Sequence, residues 1–248
     1  MNMNIHILHL FPDLLNLYGD RGNIICMRKR LEWRGIDVSV NECKLADSLR
    51  IEDADIIFLG GGSDREQRIV AGRLLEHRND LLSYVNDGGV LVAICGGFQL
   101  IGYYYQVGEE RIEGLSLVDA YTISGEKRLV GNVVLEACFS DSPQTIVGFE
   151  NHGGRTYIGD HMPLGRVVSG YGNNGEDQSE GIIHNNIVGT YLHGPLFPKN
   201  PMLADYVLLM ALRRKYGTDA KLANLNDLAE NRAHEYAASR FCKGNALG

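Results

Sequence analysis

The segment Val90-Leu91-Val92-Ala93-Ile94-Cys95-Gly96-Gly97 constrains this chain more than any other. Five apolar residues in a row, with no polar residue interleaved, describe a strand buried on both faces. The run stops on a cysteine and two glycines, and a helix begins after Cys95. A strand of this kind that turns at once into a helix is the repeating unit of a parallel sheet, because parallel neighbours need a crossover and a helix supplies it. The same alternation recurs upstream. Asn4 to Leu10 is apolar, and Gly22 to Trp33 then carries helical spacing. Ile36 to Val40 alternates like a strand, and Ala54 to Leu59 is a second buried strand ending in Gly60-Gly61-Gly62. Gln67 to Val85 is helical, with a break near His77. The expected fold class is α/β, an open and mostly parallel sheet flanked by helices.

After Tyr105 the texture changes. Strands are expected at Ser116–Val118, Asn132–Ala137, Thr145–Phe149, Ile182–Ile183 and Ile187–Leu192, parted by Gly, Asn, Asp and Pro turns. Ser169 to Glu180 reads as an exposed, mobile loop. Asn200-Pro201 opens a helix with Leu203, Tyr206/Val207, Met210 and Arg214 at helical spacing. Asn226 or Asp227 opens a last helix to Phe241, with Leu228, Ala233, Tyr236/Ala237 and Phe241 along one side. That stripe would dock on the core or on another protein. There is no internal repeat and no linker, so residues 1–248 are expected to form a single domain, with a possible partner-docking helix at 226–242.

Charge and cysteine usage narrow the partners. Asp and Glu number 31 against 24 Lys and Arg, a net charge of -7, so the surface as a whole repels nucleic acid. The two basic triplets, Arg28-Lys29-Arg30 and Arg213-Arg214-Lys215, read as solvated helix faces. Five scattered cysteines without a C-x-x-C pair argue for a reducing compartment. The N-terminus lacks a basic region and a cleavage site, and the longest apolar stretches are far short of the ~20 residues of a membrane span. The expectation is a soluble, cytoplasmic protein. No G-x-x-x-x-G-K-[ST] or H-E-x-x-H motif occurs, so no metal or nucleotide cofactor is expected in this chain.

Chemistry concentrates at Cys95. A side chain on a strand-to-helix turn projects from the carboxyl edge of the sheet, where open α/β folds bind ligands, and the logic matches a nucleophile elbow with thiol in place of hydroxyl. Ala93 and Gly97 leave room for the sharp turn. The helix N-terminus is expected to lower the thiol pKa. Most free cysteines are small buried hydrophobes, which suffices for Cys26, Cys43, Cys138 and Cys242; the setting of Cys95 favours a nucleophile. Its base is expected to be His193 in G-T-Y-L-H-G-P-L-F, at a strand end, with His152 in G-F-E-N-H-G-G-R-T as the rival. The other six histidines read as structural. Backbone N–H groups of Gly61, Gly62 and Gly96 are candidates for an oxyanion hole, where one donor contributes roughly 3–4 kcal/mol.

Strand–Gly-Gly-Gly, strand–C-G-G-F-Q and Y-L-H-G, in this order, resemble the class I (triad-type) glutamine amidotransferases over most of Asn4 to Phe197. The pairing of G-F-E-N-H-G-G-R-T with G-T-Y-L-H-G-P-L-F is similar to the cobyric-acid-synthase-type branch. N-L-Y-G-D-R-G-N (Asn16 to Asn23) further resembles the free-standing glutaminase subunits of lipid II isoglutaminyl synthases. The resemblance implies a flavodoxin-like fold in which Cys95 attacks the side-chain amide of L-glutamine to form a glutamyl thioester. His193 would move the protons. Gln99 matches a family position near the bound glutamine. Arg128 is the candidate for holding the substrate carboxylate, against the alternative of a surface Arg in a loop. The implied partner is a Mur-ligase-like subunit, which would carry ATP and Mg, in a heterodimer acting on D-glutamate of lipid II. Rival readings are an amidotransferase subunit for another acceptor, such as a corrinoid or cofactor precursor, and a non-catalytic regulatory scaffold. One departure stands out: many class I members carry an acid two residues after the histidine, where this chain has Pro195. Glu150, Asp20 and Asp205 are local substitutes, and an acid from the partner subunit is the expectation.

Overall fold

A computed structural model describes residues 3–244. The chain enters as β1 (Asn4–Leu10), follows with α1 (Arg21–Glu32) and returns as β2 (Asp37–Cys43). Next come β3 (Ile56–Leu59), α2 (Asp64–Glu76), α3 (Arg78–Asn86), β4 (Val90–Ile94) and α4 (Gly96–Ile101). The break between α2 and α3 falls at His77, as the spacing predicts. A second group follows: β5 (Tyr104–Val107), β6 (Glu110–Glu113), β7 (Tyr121–Ala137), β8 (Thr145–Tyr157), β9 (Gly165–Ser169) and β10 (Ser179–Glu180). The chain then rejoins the first group through β11 (Ile182–His184) and β12 (Ile187–Thr190). It closes with α5 (Leu196–Lys199), α6 (Pro201–Tyr216) and α7 (Leu228–Gly244).

Two sheets result. The first has the order β11-β12-β4-β3-β1-β2, and every pairing in it is parallel except β11 with β12. All residues of β3, β4 and β12 are buried, which is why they read as unbroken apolar runs. The second sheet has the order β10-β9-β7-β5-β6, with β8 paired to β7. It is antiparallel apart from a short β5–β7 contact. It wraps over the carboxyl edge of the first sheet: Phe149 of β8 bridges His193, whose N–H donates to the Phe149 carbonyl at 2.8 Å.

The second sheet departs from several expectations. Asn132–Ala137 and Thr145–Phe149 are only the apolar portions of β7 and β8, whose remaining residues are largely polar. Continuous β7–β8 pairing satisfies that polar backbone, apart from a register shift between Ser124 and Leu129. Ser116–Val118 is not a strand. Leu115, Leu117 and Val118 are buried, but the N–H groups of residues 115–117 donate to the Leu100, Gly102 and Ile101 carbonyls at the end of α4. The segment Ser169 to Glu180 is exposed only in part, at Tyr171 and residues 175–178. Asn173, Asn174 and Glu180 are buried, and Asn173 exchanges side-chain hydrogen bonds with Gly181.

Two helix ends also differ. Asn200 precedes α6, yet its side chain does not cap it. It accepts from Val147 N–H and donates to the Val147 and Leu196 carbonyls, sewing α5 to β8. The last helix packs on β7, β8, β9 and α5 with the side carrying half-buried His234, Ala237, Ala238 and Phe241. Leu228, Ala233 and Tyr236 are exposed, so they do not share a docked stripe with Phe241.

The basic triplets are tied into the fold as well. Arg30 is buried and bidentate to both Asp205 and Asp227, joining α1 to α6 and to the start of α7. Lys215 reaches Asp55, and Arg214 reaches Asp87. Arg28 and Lys29 behave as a solvated face, pairing with Glu32 for little net gain, and Arg213 is exposed as well. No helix among the described residues is long and apolar enough to cross a membrane.

Candidate active site

Cys95 occupies the turn between β4 and α4 with φ +50° and ψ -103°, a conformation rare for any residue but glycine. The surroundings hold it there. Its N–H donates to the Thr190 carbonyl and its carbonyl accepts from Gln99 N–H. A Cβ on Gly97 would stand 2.6 Å from the Leu59 carbonyl oxygen, so only glycine lets α4 start this close to β3. The strained turn presents Sγ to a cavity of about 220 Å³ lined by Leu17, Gly62, Ser63, Asp64, Gln67, Gln99, Tyr105, Arg128, Asn151, His152 and Gly153. A larger cavity, about 660 Å³, lies beneath α7 and is lined by Asp205, Asp227, His234 and Glu235 but no cysteine. The presence of a nucleophile, rather than size, selects the first.

His193 follows the end of β12, buried beside Cys95. A methyl group placed on Gly61 would sit 3.0 Å from Cys95 Cβ and 3.3 Å from His193 Cε1, so both side chains flank the same point at the end of β3. Burial, with smaller contributions from His152 and Arg128, lowers the His193 pKa to about 3. The imidazole is neutral at pH 7 and therefore able to accept a proton. Cys95 differs from expectation: burial and then the neighbouring Asp20 push the thiol up to about 12. The Gly96 N–H at the start of α4 and Arg128 act in the opposite direction but are outweighed. Cys95 thus rests as a thiol, and its activation requires proton transfer as the nucleophile attacks.

The three glycines proposed as oxyanion donors separate. Gly61 N–H donates to Asp20 Oδ2 at 2.8 Å, so in this arrangement it is not available to a substrate oxygen. Gly62 lines the Cys95 cavity and Gly96 begins α4. Gln99 also lines the cavity, while its Nε2 donates to Tyr191 OH at 3.1 Å. Arg128 lies in the irregular part of β7, not in a loop. Its Nε donates to Asn151 Oδ1 and its Nη2 to the Asn151 carbonyl, folding the guanidinium onto the cavity wall.

Of the three candidate acids, Asp20 is the one brought to His193: its Oδ1 is 4.0 Å from His193 Nδ1, and both side chains are buried. Glu150 instead accepts from the Tyr171 and Gly172 N–H groups. Asp205 belongs to the Arg30 cluster. The rival base His152 forms a wall of the cavity. Its Nδ1 is 2.8 Å from the Gly154 carbonyl, its Nε2 is 3.5 Å from Glu150, and its ring stacks on Tyr191 with centroids 3.6 Å apart.

A buried cysteine on a strained elbow with a neutral histidine from a neighbouring strand is an acyl-transfer arrangement, and comparison with known proteins is consistent with it. Residues 6–201 match the family described as the CobB/CobQ-like glutamine amidotransferase domain. The chain belongs to this family. It is 44% identical to the lipid II isoglutaminyl synthase (glutamine-hydrolyzing) subunit GatD of Staphylococcus aureus, over 94% of this chain and 95% of that protein. The subunit of the same name from Streptococcus pneumoniae is 40% identical, over 94% and 90%. A probable cobyric acid synthase of Methanothermobacter thermautotrophicus is 31% identical over 64% of this chain and 33% of its own length. Among solved structures, one titled as a glutamine amidotransferase superposes with a TM-score of 0.53 at 15% identity, covering 82% of this chain and 98% of that one. The glutaminase domain of Trypanosoma brucei CTPS with bound acivicin superposes with a TM-score of 0.51 at 12% identity, over 88% and 96%. These two carry the class I fold alone.

Within this amidotransferase, two cavity residues, Tyr105 and Gln67, and one supporting residue, Glu180, carry no sequence signal of their own. Tyr105 stands at the start of the second sheet, with its hydroxyl pushed up to about 12 by burial and Asp64. Gln67 packs its amide against Gly96. Buried Glu180 accepts from Tyr191 N–H and Thr190 Oγ1, fixing the strand end that leads to His193. Among the described residues no group of three His, Cys, Asp or Glu side chains is arranged to hold a metal ion.

Proposed function

We propose that this amidotransferase is the glutaminase subunit of a lipid II isoglutaminyl synthase. The observation that carries the reading is a Cys95 thiol on a strained elbow beside a neutral His193, in a chain 44% identical to a GatD subunit over nearly its full length. L-Glutamine enters the cavity with its side-chain amide at Cys95. Arg128 binds its carboxylate through the fork of guanidinium donors. His193 takes the Cys95 proton as sulfur attacks, and Gly62 and Gly96 N–H groups receive the developing oxyanion. The protonated His193 then gives its proton to departing ammonia, leaving a glutamyl thioester that a His193-activated water hydrolyses. Gln99, fixed by Tyr191, borders the bound glutamine.

Ammonia passes to a Mur-ligase-like synthetase subunit, which holds ATP and Mg and activates the D-glutamate carboxylate of the lipid II stem peptide; the product is D-isoglutamine. The exposed side of α7, with Leu228 and Tyr236 each 65% accessible, is the surface offered to that subunit.

The test supplies glutamine carrying ¹⁵N in its side-chain amide to the chain, its synthetase subunit, ATP, Mg and lipid II. Labelled D-isoglutamine is expected, together with its loss in Cys95→Ala. Labelled ammonia without amidated lipid II would move the reading to another acceptor, and no release of ammonia would end it.

A further inference from the structure

We propose that the cavity between α1 and the edge strand β2, with His9 at its floor, is a second binding site on this chain and takes a small acidic amino acid. The site is separate from the Cys95 cavity, and the proposal is independent of the chemistry there.

The first observation is a buried histidine with nothing to bond. His9 lies near the end of β1 and is fully buried, yet among the described residues neither Nδ1 nor Nε2 has a hydrogen-bond partner. Buried polar atoms are ordinarily satisfied. The same strand shows the ordinary case, since His6, on the opposite face, bonds Ser39 Oγ. Burial lowers the His9 pKa to about 4, with Glu42 opposing and Arg21 assisting. The ring is therefore neutral at pH 7, with one N–H to donate and one lone pair to accept. It stands perpendicular to Phe58, with centroids 5.4 Å apart, a contact that fixes its plane and satisfies neither nitrogen. Buried Gln67 shows the same signature in the Cys95 cavity, where its Oε1 has no hydrogen-bond partner.

The second observation is what surrounds that ring. His9 borders a cavity of about 390 Å³, larger than the one of about 220 Å³ beside Cys95. The β1–β2 register places Glu42 directly beside His9. Both stand at the carboxyl ends of parallel strands, where open α/β sheets hold ligands. The facing wall is one side of α1, on which Arg21, Ile24, Ile25 and Arg28 follow helical spacing. That helix is fixed from its other flank: Gly22 fits against Pro195, and Asn23 Oδ1 accepts the Phe197 N–H at 2.9 Å.

Charge selects the ligand. Two guanidiniums and one carboxylate line the cavity, the complement of a molecule with two carboxylates and one ammonium. Both arginines are loosely held. Arg21 Nη2 is 3.4 Å from Glu42 and Arg28 Nε is 3.6 Å from Glu32, beyond the about 2.7–2.9 Å of a charged hydrogen bond. Two helical turns separate them, about 10 Å along the axis, so each can meet one carboxylate of a short ligand. The ligand ammonium goes to Glu42. A molecule that carries both donors and acceptors gives His9 a partner, and Ile24, Ile25 and Val40 cover its methylenes. L-Glutamate has this pattern on a chain long enough to reach both arginines.

The experiment titrates L-glutamate calorimetrically into the full chain carrying Arg128→Ala, which removes the contact proposed to hold an amino acid beside Cys95. The same titration is repeated with His9→Leu or Arg28→Gln added. One L-glutamate per chain is expected, with affinity falling at least about tenfold on either added substitution. Glutarate, which lacks the ammonium, L-glutamine, which lacks the second carboxylate, and inorganic phosphate are each expected to bind at least about tenfold more weakly than L-glutamate. If His9→Leu does not fold, Arg28→Gln, a change on the helix surface, decides alone. Absence of saturable binding overturns the proposal, as does binding that the added substitutions leave unchanged. Glutarate, L-glutamine or phosphate binding as tightly as L-glutamate overturns it too. The titration needs no turnover, so its outcome stands apart from whether the chain hydrolyses glutamine.

Discussion

Two buried ionisable clusters stand on either side of α1, and they are built on opposite rules. On one side Arg30 meets Asp205 and Asp227 with four hydrogen bonds between 2.7 and 2.8 Å. The match keeps Asp227 below the usual carboxylate range and Arg30 above its ordinary value. Every charge has a partner, and the cluster ties three helices together. On the other side Asp20, Cys95 and His193 are buried without a cation among them, and each is driven towards its neutral form: Asp20 up to about 7, Cys95 up to about 12, His193 down to about 3. The first cluster stabilises the fold. The second costs stability and holds groups whose charges would develop together only as a proton moves, which is how perturbed sites differ from structural ion pairs.

Substitutions can break this contrast. The largest effect is expected for Cys95→Ala, which should reduce glutamine hydrolysis by at least about 10⁴-fold, more than about 5 kcal/mol of barrier, and leave urea unfolding within about 1 kcal/mol of wild type. The mirror experiment is Arg30→Met, which strands two carboxylates. It should cost about 2–4 kcal/mol in urea denaturation, with the kcat of the remaining folded protein unchanged. If Arg30→Met abolishes turnover in protein shown to be folded, the two clusters are not separable.

Arg128→Ala is next. Loss of the proposed contact with the substrate carboxylate should raise KM for glutamine about 10–100-fold, roughly 1.4–2.7 kcal/mol, with a smaller change in kcat. A fall in kcat alone would place Arg128 outside the substrate contact.

The smallest effect carries an unusual sign. The carboxyl of Asp20 titrates near 7 when folded because burial raises it, against about 4 in an unfolded chain. Its favourable state is therefore complete below pH 4 and is lost as pH rises through 7. Asp20→Asn removes that penalty while its side-chain oxygen can still accept from Gly61. The variant should match wild type in urea at pH 4 and exceed it by about 1–2 kcal/mol at pH 8. Equal stability at both pH values would mean that Asp20 is not held against its charge.

What the sequence disclosed follows the same division. The parallel strands were legible because both of their faces are buried, so β3 and β4 announce themselves as Ile56–Leu59 and Val90–Ile94. The elbow at Cys95 was legible because a buried strand that stops on a cysteine and two glycines has to turn at once into a helix. The second sheet was legible only where it meets the core. Glu126-Lys127-Arg128 gives no strand signal and falls in the register shift between Ser124 and Leu129; the residues on either side are held by pairing with β8, contributed from beyond the 138–144 turn. Asp20 was named among several acids without a means of choosing. Asp-Arg-Gly-Asn reads locally as a helix start, and only the approach of β3 and β12 shows that the carboxylate faces inward. Glu180 was hidden for a similar reason, sitting in a segment whose polar composition resembles solvent-exposed turns although its side chains bond to one another and to β12.

The fit of Gly22 against Pro195 also bears on how such a chain can change over time. A Cβ on Gly22 would lie 2.5 Å from Pro195 Cγ, so a larger side chain at position 22 has to displace the proline ring. Restoring an acid after the histidine would have to displace the proline ring on which α1 rests. Any residue larger than glycine at position 22 would in turn push α1, and Asp20 with it, away from His193.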